Sequence, residues 1–447
     1  MQRREFLSMA AAVRDVNGFG ALGDGKRNNR DAIQRAIDEC AAAGGGAVRI
    51  PPGRFRSGAL RLKSGVALYL DHGAMLMASD RPEDYPVRRP TPRVPPDHWG
   101  SAFLLAEGAE RVAILGSGVI CGAGLAKPRP PGGRLEPFRP RLVAFEGCKD
   151  VVVEGVTLRD SDRWTLHFYH CDHVRAGGLR IQAAYDIANT DGIDIDGCRN
   201  VVISGCEIVT GDDCIVLKTT NYLGQPRAME NVTVSNCVLS TRASAFKVGT
   251  ETHADIQNIT FSNSVVYGTS QVRPQCAVEL ASVDGARLGC ISVSNITARA
   301  AAAAVFLRLG ARTRPPEGAP PPRLHDVVLQ NLVATGCDVA SSIAGIPGLD
   351  IENVTLSDFR LVYIGGGGPE LAKRSPPEKE TSYPKPTMFG PLPAAGLYIR
   401  HARGIVLRNL DVSCMRSDAR PTLVVDDVKD LWVEGLRRDR KPAPEKF

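Results

Sequence analysis

A short repeat runs through most of this chain, and it restricts the possible folds more than any other feature. Each unit is an apolar-alternating run, then a Gly, Asn or Asp, then a second short apolar stretch. The closest units are 23 to 27 residues apart, which is about one coil of three short strands and their turns. The units occupy residues 111–120, 150–158, 173–181, 200–208, 231–239, 258–266, 290–298, 326–334, 353–361, 404–412 and 430–438.

The pattern within each unit predicts the fold class. Apolar residues alternate with a period of two, which indicates strands rather than helices. A Gly or Asn at one fixed position suits a turn with positive φ, and stacked Asn side chains can bond one another along the axis. We therefore predict an all-β right-handed parallel β-helix with strands about 4.8 Å apart.

Composition agrees with stacked coils in one large domain. The 447 residues are 43% hydrophobic but only 6% aromatic, so Val, Ile, Leu and Ala must fill the core. We expect a single solenoid domain over 14–447.

Of the twelve cysteines, three stand three residues before a Val, and a ladder of buried thiols explains this as well as disulfides do. We favour mostly free, buried thiols; the three are Cys148, Cys171 and Cys198.

The N-terminal segment differs from the repeat. Residues 31–40 carry apolar side chains at helical spacing, which predicts a helix that caps the open end of the solenoid. Residues 1–13 contain Arg3-Arg4 and resemble a twin-arginine export signal, although the apolar run after the arginines is only about eight residues. We accordingly expect a secreted or periplasmic protein.

Charge and hydropathy exclude several classes of partner. The net charge is +6, and no basic run stands beside stacking aromatics, so nucleic acid is not expected as a ligand. No run of 18 apolar residues exists, so no membrane span is expected. We expect a monomer.

Pro-rich insertions at 126–140, 311–323 and 369–393 are either tolerated surface loops or walls of a groove.

Two neighbouring coils carry three aspartates. Aligning the apolar positions places Ile193 over Ile215, and Asp191 then stacks on Asp213 with Asp212 close by. Like charges at short range raise at least one carboxyl pKa, which creates an acid beside ionised bases. Glycoside hydrolysis needs this division of roles. The alternatives are aspartates that cap strand ends, or a calcium site.

The segments Asn189-Thr190-Asp191-Gly192 and Gly211-Asp212-Asp213-Cys214 resemble two motifs of glycoside hydrolase family 28, the polygalacturonase family. The resemblance implies a right-handed β-helix that hydrolyses a pectin-like polysaccharide or oligosaccharide with inversion, without metal or cofactor. Carried over, Asp212 is the general acid, Asp191 and Asp213 hold and deprotonate water, and Asn189 contacts the substrate.

The chain departs from the family pattern on the next coils. Ala243-Ser244-Ala245 stands where the family usually has Gly-His-Gly, and Glu279 begins the segment aligned with its Arg-Ile-Lys. Glu279 would repel a galacturonate carboxylate, so a neutral sugar or a rhamnogalacturonan-type linkage is as plausible at the catalytic subsite. Lys247 and Arg308, on flanking coils, are expected to supply positive charge.

Three further side chains are candidate substrate contacts. Trp164 suits stacking on a sugar ring, although a core aromatic fits equally well. His167 aligns beside Asp194 and is either a substrate contact or a hydrogen-bonding surface histidine, and Lys218 is a groove candidate. Two other functions stay open: a β-helix polysaccharide lyase or epimerase, and a non-catalytic carbohydrate-binding β-helix. Retention of three mutually repelling aspartates argues against the second.

Overall fold

The computed structural model describes residues 13–85, 101–127, 138–221, 224–313 and 320–442, and these residues form parallel strands and one α-helix. The predicted class, an all-β right-handed parallel β-helix with an N-terminal capping helix, is confirmed. The chain divides into two compact units, residues 1–212 with 222–225 and residues 213–221 with 226–447. The expectation of one domain over 14–447 stays a prediction.

The first unit contains the α-helix α1 (Arg30–Ala42) and short 3₁₀ helices at Val16–Phe19 and Pro82–Asp84. Its strands are β1 (Val13–Asp15), β2 (Asp24–Asn28), β3 (Gly46–Ile50), β4 (Gly53–Ser57), β5 (Leu60–Leu62), β6 (Val66–Leu70), β7 (Ala74–Ala78), β8 (Ala102–Glu107), β9 (Glu110–Gly116), β10 (Val119–Cys121), β11 (Arg141–Glu146), β12 (Lys149–Glu154), β13 (Thr157–Arg159), β14 (Leu166–Tyr169), β15 (Asp172–Gly177), β16 (Arg180–Gln182), β17 (Ile193–Asp196), β18 (Arg199–Ser204) and β19 (Glu207–Thr210).

Successive coils of the first unit pair in parallel and in register. Strands β11, β12 and β13 pair with β14, β15 and β16, which pair in turn with β17, β18 and β19. Val151, Val174 and Val201 therefore stack in one buried column. Burying each such side chain contributes about 1.5–3 kcal/mol relative to leaving it exposed. The predicted alignment of His167 beside Asp194 is confirmed.

The second unit continues the same construction with longer strands and a 3₁₀ helix at Leu371–Lys373. All of its strand pairs are parallel within the described residues except β33 with β34. Its strands are β20 (Ile215–Thr219), β21 (Met229–Ser235), β22 (Val238–Thr241), β23 (Ser244–Thr252), β24 (Ile256–Tyr267), β25 (Cys276–Ser282), β26 (Arg287–Arg299), β27 (Ala303–Leu309), β28 (Arg323–Cys337), β29 (Ser341–Ala344), β30 (Ile351–Gly365), β31 (Leu397–Arg416), β32 (Leu423–Glu434), β33 (Arg437–Arg438) and β34 (Lys441–Pro442).

The turn position predicted from the repeat is confirmed at every unit. Each of its Gly, Asn or Asp residues has positive φ; they are 116, 155, 178, 205, 236, 263, 295, 331, 358, 409 and 435. Side chains bond along this column, since Asn331 donates to Asn295 at 2.7 Å and Asn295 to Asn263 at 2.8 Å. A second row of positive-φ residues begins the units and includes Arg111 and Cys290. Its residue types vary, so the sequence did not reveal it.

Helix α1 packs its apolar face on the first coils. Ile33, Ala36, Ile37 and Cys40 are buried, and the helix contacts β1, β3, β5 and β6 of its own unit. This confirms the predicted cap, which covers strand edges that would otherwise be exposed.

The thiols and insertions complete the fold. All twelve cysteines are free, and ten of them are buried, as expected. The export-signal residues 1–12 lie outside the described residues, as do 128–137 and 314–319 of two Pro-rich insertions, whereas 369–393 is described in full. None of the helices in the described part of the chain has the length and apolar character that crossing a bilayer would need.

Candidate active site

Two of the three predicted catalytic aspartates lie together in the first unit. Asp191 is 2% exposed, and Asp212 is half-buried. One carboxylate oxygen of Asp191 lies within 4.8 Å of one of Asp212. The backbone of Asp191 is tied to the preceding coil, because its carbonyl accepts the Thr165 N–H at 2.9 Å. The structure thus brings two acids to one place, as the motifs predicted.

The turn before Asp191 holds the second carboxylate. Asn189 has a φ of 59°, and its backbone N–H donates to Asp212 Oδ2 at 2.9 Å. Thr190 Oγ1 donates to the Ile187 carbonyl at 2.8 Å and accepts from the Gly211 N–H at 3.2 Å. Hydrogen bonds therefore join the coil that carries Asp191 to the turn that carries Asp212. Asn189, predicted to contact substrate, fixes the acid through its backbone.

Arg139 is a site residue that the sequence analysis missed. Its Nε donates to the Asp162 carbonyl at 2.7 Å, and its Nη2 donates to the Ala188 carbonyl, just before Asn189. Burial lowers the pKa of Arg139, and the negative charges of Asp162, Asp191 and Asp212 partly offset this. A buried cation therefore lies near both acids. It belongs to a Pro-rich insertion without periodicity, so no sequence signal marked it.

His167 and Trp164 lie in the protein interior. His167 is 1% exposed; its Nδ1 is 2.6 Å from Arg141 Nη1 and its Nε2 is 3.4 Å from Asp196 Oδ2. The expected surface histidine is thus a member of a buried polar network. Trp164 is 4% exposed and meets the His167 ring edge-on, with centroids 4.8 Å apart. Neither ring offers an open stacking face, and their substrate contacts stay predictions.

A cleft of about 270 Å³ borders this turn in the first unit. It is lined by small residues and two carboxyl groups, and Ile187, whose carbonyl anchors Thr190, forms part of its wall. Burial raises the pKa of one lining acid, Asp162, which accepts a hydrogen bond from the Ala126 N–H at 2.7 Å. The cleft is large enough for water and part of a sugar, and it is polar on one side.

Asp213 begins the second unit and directly follows Asp212 in the chain. It is 4% exposed, and two donors hold its oxygens: the Ser244 N–H at 2.9 Å and Lys247 Nζ at 3.1 Å. Ser244 occupies the slot where the family usually has histidine, and here its backbone contacts the aspartate. The predicted stacking of Asp213 on Asp191 stays a prediction.

Glu279 lies where the alignment placed it. Strands β23 and β25 pair Lys247 with Glu279, and Glu279 is 2% exposed. Its Oε2 accepts the Ser244 hydroxyl at 2.5 Å. Lys218, a predicted groove cation, pairs with Glu251 Oε2 at 3.1 Å. Both lysines predicted to bind substrate are therefore engaged by carboxylates of the protein.

Arg308 is buried under the insertion at 369–393. Its guanidinium donates to the carbonyls of Ala344, Gly345, Glu378 and Lys379. Burial lowers its pKa to about 10, although Glu378 raises it. Because Arg308 has no exposed surface, its predicted contact with substrate would need this insertion to move.

The same insertion places an aromatic residue beside Lys247 in the second unit. Tyr383 is 53% exposed, and its hydroxyl lies 3.3 Å from Lys247 Nζ. Its ring lies 5.4 Å from that ammonium and 5.7 Å from the Arg312 guanidinium. Tyr383 is thus an accessible ring between two cations, a feature that the insertion's irregular sequence did not indicate.

The acids could in principle bind a cation. Calcium takes six to eight oxygen ligands, and Asp191 and Asp212 offer only carboxylate oxygens from two neighbouring turns. Within the described residues, the nearby oxygens of Thr190 and Asp212 are already used in hydrogen bonds. The arrangement suits proton transfer between neighbouring carboxyl groups as well as it suits a metal.

Comparison with known proteins gives the family. The model for glycosyl hydrolases family 28 matches residues 97–372, which is more than half of the chain. A "Probable polygalacturonase" of Vitis vinifera is 27% identical over 78% of this chain and 75% of its own length. The "Exo-poly-alpha-D-galacturonosidase" of Dickeya chrysanthemi is 25% identical over 57% of this chain, which spans about half of that relative.

Solved structures share the fold. An exopolygalacturonase from Thermotoga maritima superposes with a TM-score of 0.67 at 24% identity, covering 80% of this chain and 90% of that one. The family 28 exopolygalacturonase of Yersinia enterocolitica gives 0.71 at 22% identity, covering 95% and 78%. Because the family model covers more than half of the chain, the chain belongs to glycoside hydrolase family 28.

Proposed function

We propose that this protein hydrolyses glycosidic bonds in a pectin-related polysaccharide or oligosaccharide. The observation that carries the proposal is the Asp191–Asp212 pair, two acids within 4.8 Å on turns that are bonded to each other. Family membership and relatives named polygalacturonases support the same chemistry.

The aspartates divide the roles of acid and base. Asp212 is the more exposed of the pair and donates its proton to the leaving glycosidic oxygen. Asp191 and Asp213 orient a water and accept its proton as the water oxygen attacks the anomeric carbon. Asp213 suits a base, because an ammonium and an amide N–H both point at it. The bond to the leaving oxygen breaks as the bond to water forms.

Inversion is the stereochemistry proposed for this reaction. Inverting enzymes usually separate the carboxyl groups by about 6.5–9.5 Å, whereas retaining enzymes place them about 5–5.5 Å apart. Here one oxygen of Asp191 and one of Asp212 lie within 4.8 Å of each other, which bounds the closest approach of the two carboxylates and not the separation of the carboxyl groups.

The cations near Asp213 favour an uncharged sugar at the catalytic subsite. Lys247 pairs with Asp213, Lys218 with Glu251, and Arg312 with Asp284 at 2.6 Å. Each positive charge is thus balanced by a carboxylate of the protein, which weakens the attraction for a uronate. A neutral sugar or a rhamnogalacturonan-type linkage therefore suits this subsite. A groove closed at one end by the insertion that carries Tyr383 would favour exo action.

Product analysis tests the proposal. The protein is incubated with polygalacturonate, methyl-esterified pectin and rhamnogalacturonan fragments, with reducing ends quantified and the first anomer followed by ¹H NMR. We expect new reducing ends with inverted configuration, largest on rhamnogalacturonan or esterified substrates. Retained configuration would overturn the inverting mechanism. An unsaturated product absorbing in the ultraviolet, together with loss of activity in chelator, would instead identify a lyase.

We also infer export from the cell. The Arg3-Arg4 pair and the short apolar run after it support this inference. Fractionation of cells expressing the full chain and an Arg3→Lys, Arg4→Lys variant tests it. Protein that stays in the cytoplasm in both cases would contradict the inference.

A further inference from the structure

Ser244, Lys247 and Glu279 of the second unit form a closed ring with Asp213. The Ser244 N–H donates to Asp213 Oδ1 at 2.9 Å, and Lys247 Nζ lies 3.1 Å from Asp213 Oδ2. The same two residues also hold Glu279: the Ser244 hydroxyl donates to its Oε2 at 2.5 Å, and Lys247 Nζ lies 3.9 Å from its Oε1. Asp213 and Glu279 are thus bridged twice, by Ser244 and by Lys247.

Strand register brings the residues of the ring together, and all of them are buried. Strand β23 carries Ser244 and Lys247, and its pairing with β25 places Glu279 directly beside Lys247. None of the four residues is more than 4% exposed. A buried carboxylate is costly unless its partners are well placed, so Glu279 needs both the hydroxyl and the ammonium.

We propose that Glu279 is a positioning residue for Asp213 and not a substrate contact. A lysine ammonium at the end of four rotatable bonds has no preferred place by itself. Here Asp213, Glu279 and the Tyr383 hydroxyl surround it and fix its position. Glu279 also fixes the Ser244 hydroxyl, on the residue whose N–H holds the other oxygen of Asp213. The glutamate therefore orients both donors of the aspartate.

The ring has a consequence for specificity. Lys247 contributes one positive charge and is shared between two carboxylates, so it is not available to a substrate carboxylate. This inference rests on the proposed function only in assigning Asp213 a part in catalysis. The arrangement of the ring itself can be tested without turnover.

The test measures how Asp213 titrates. Aspartate labelled with ¹³C at the carboxyl is incorporated into the full chain, and the Asp213 signal is assigned by its loss in Asp213→Asn. Glu279→Gln removes a negative charge near Asp213, so the midpoint of Asp213 should fall. Lys247→Met removes the cation, so the midpoint should rise. The acid limb of kcat/KM is expected to move in the same two directions.

Controls separate positioning from binding and from loss of fold. Glu352→Gln removes a glutamate that pairs with Arg323 and Arg403 instead, and it should leave the Asp213 midpoint and the pH profile unchanged. If Lys247→Met does not fold, Ser244→Ala removes only the hydroxyl and should lower kcat with KM little changed. An Asp213 midpoint that is unchanged in Glu279→Gln overturns the proposal. A Glu279→Gln variant with a raised KM and an unchanged acid limb of its kcat/KM profile also overturns it. If the Asp213 midpoints shift as expected but the wild-type protein hydrolyses no substrate, the arrangement of the ring is supported and the proposed function is wrong.

Discussion

The backbone N–H of Asn189 donates a 2.9 Å hydrogen bond to Asp212 Oδ2, so the turn that leads into one acid holds the other. Such a bond sets the direction of the carboxylate without adding a charge. The relative position of the two acids therefore depends on backbone geometry in a turn only a few residues long.

Replacing Asp212 by Asn should abolish hydrolysis and spare folding. The amide keeps the size of the side chain but has no proton to give to the leaving oxygen, so kcat should fall at least about 100-fold. Initial rates of reducing-end release measure this, with substrate binding followed separately by calorimetry. Asp186→Asn, an exposed aspartate of the same unit, is the matched control. Activity near that of the control would remove Asp212 from the acid role.

Gly211→Ala should disable the site through its turn. A Cβ at Gly211 would lie 2.4 Å from the Ile187 carbonyl oxygen and 2.5 Å from that of Ala184, both backbone atoms that hold Thr190. The turn must shift, so we expect a loss of stability of about 1–3 kcal/mol and a larger fractional loss of kcat. Urea unfolding and kinetics check this against Gly18→Ala, where nothing lies within 4 Å. Equal behaviour of the two variants would contradict the expectation.

Stability should fall in mild acid because of His167. Burial lowers its pKa below 6.5; the charge of Arg141 lowers it further, while Asp196 and Glu146 oppose both. As pH falls below about 6.5, the unfolded chain binds a proton that the folded protein does not, so the free energy of unfolding decreases by up to about 1.4 kcal/mol per pH unit.

Urea unfolding between pH 7.5 and 5 measures that slope. His167→Gln should flatten it, although its stability at pH 7.5 should be lower because hydrogen bonds are lost. The exposed His72→Gln should keep the wild-type slope. A slope that is as steep in His167→Gln as in the wild type would assign the acid sensitivity to other groups.

Arg308→Met should release the insertion at 369–393. Four carbonyl groups lose their donor, two of them in the insertion, so we expect a loss of about 2–4 kcal/mol and faster proteolysis between 369 and 393. Urea unfolding and mass spectrometry of the fragments provide the readout. The control is Arg299→Met, at an exposed arginine. If KM rises while stability and cleavage stay unchanged, Arg308 contacts substrate instead.

The asparagine ladder should contribute to stability through both its turn and its bonds. Asn295 has a φ of 56° and bonds to the asparagines above and below it. Asn295→Ala loses the bonds and strains the turn, so it should cost about 2 kcal/mol, whereas Asn295→Gly loses only the bonds and should cost about 1 kcal/mol. Thermal unfolding of both variants tests this order. Equal costs would show that the φ value carries no penalty here.

Periodicity determined the fold from the sequence alone. Alternating apolar residues and a Gly or Asn at one position predicted the coils, the register of His167 with Asp194 and the positive φ at every anchor. These features repeat, and each repeat strengthens the same inference. The paired motifs likewise predicted that Asp191 and Asp212 would meet, because neighbouring coils place corresponding turns together.

Tertiary structure decided what surrounds the acids. Arg139 and Tyr383 come from Pro-rich insertions that follow no period, so their approach to the site depends on how each loop packs. His167 was correctly aligned, but its burial depends on Arg141 and Asp196 from other coils. Lys247 and Glu279 appeared in the sequence as opposed charges one coil apart. Their joint hold on Asp213 and Ser244 became visible only in the structure, because side-chain direction and hydrogen bonding are set by packing that a repeat pattern does not encode.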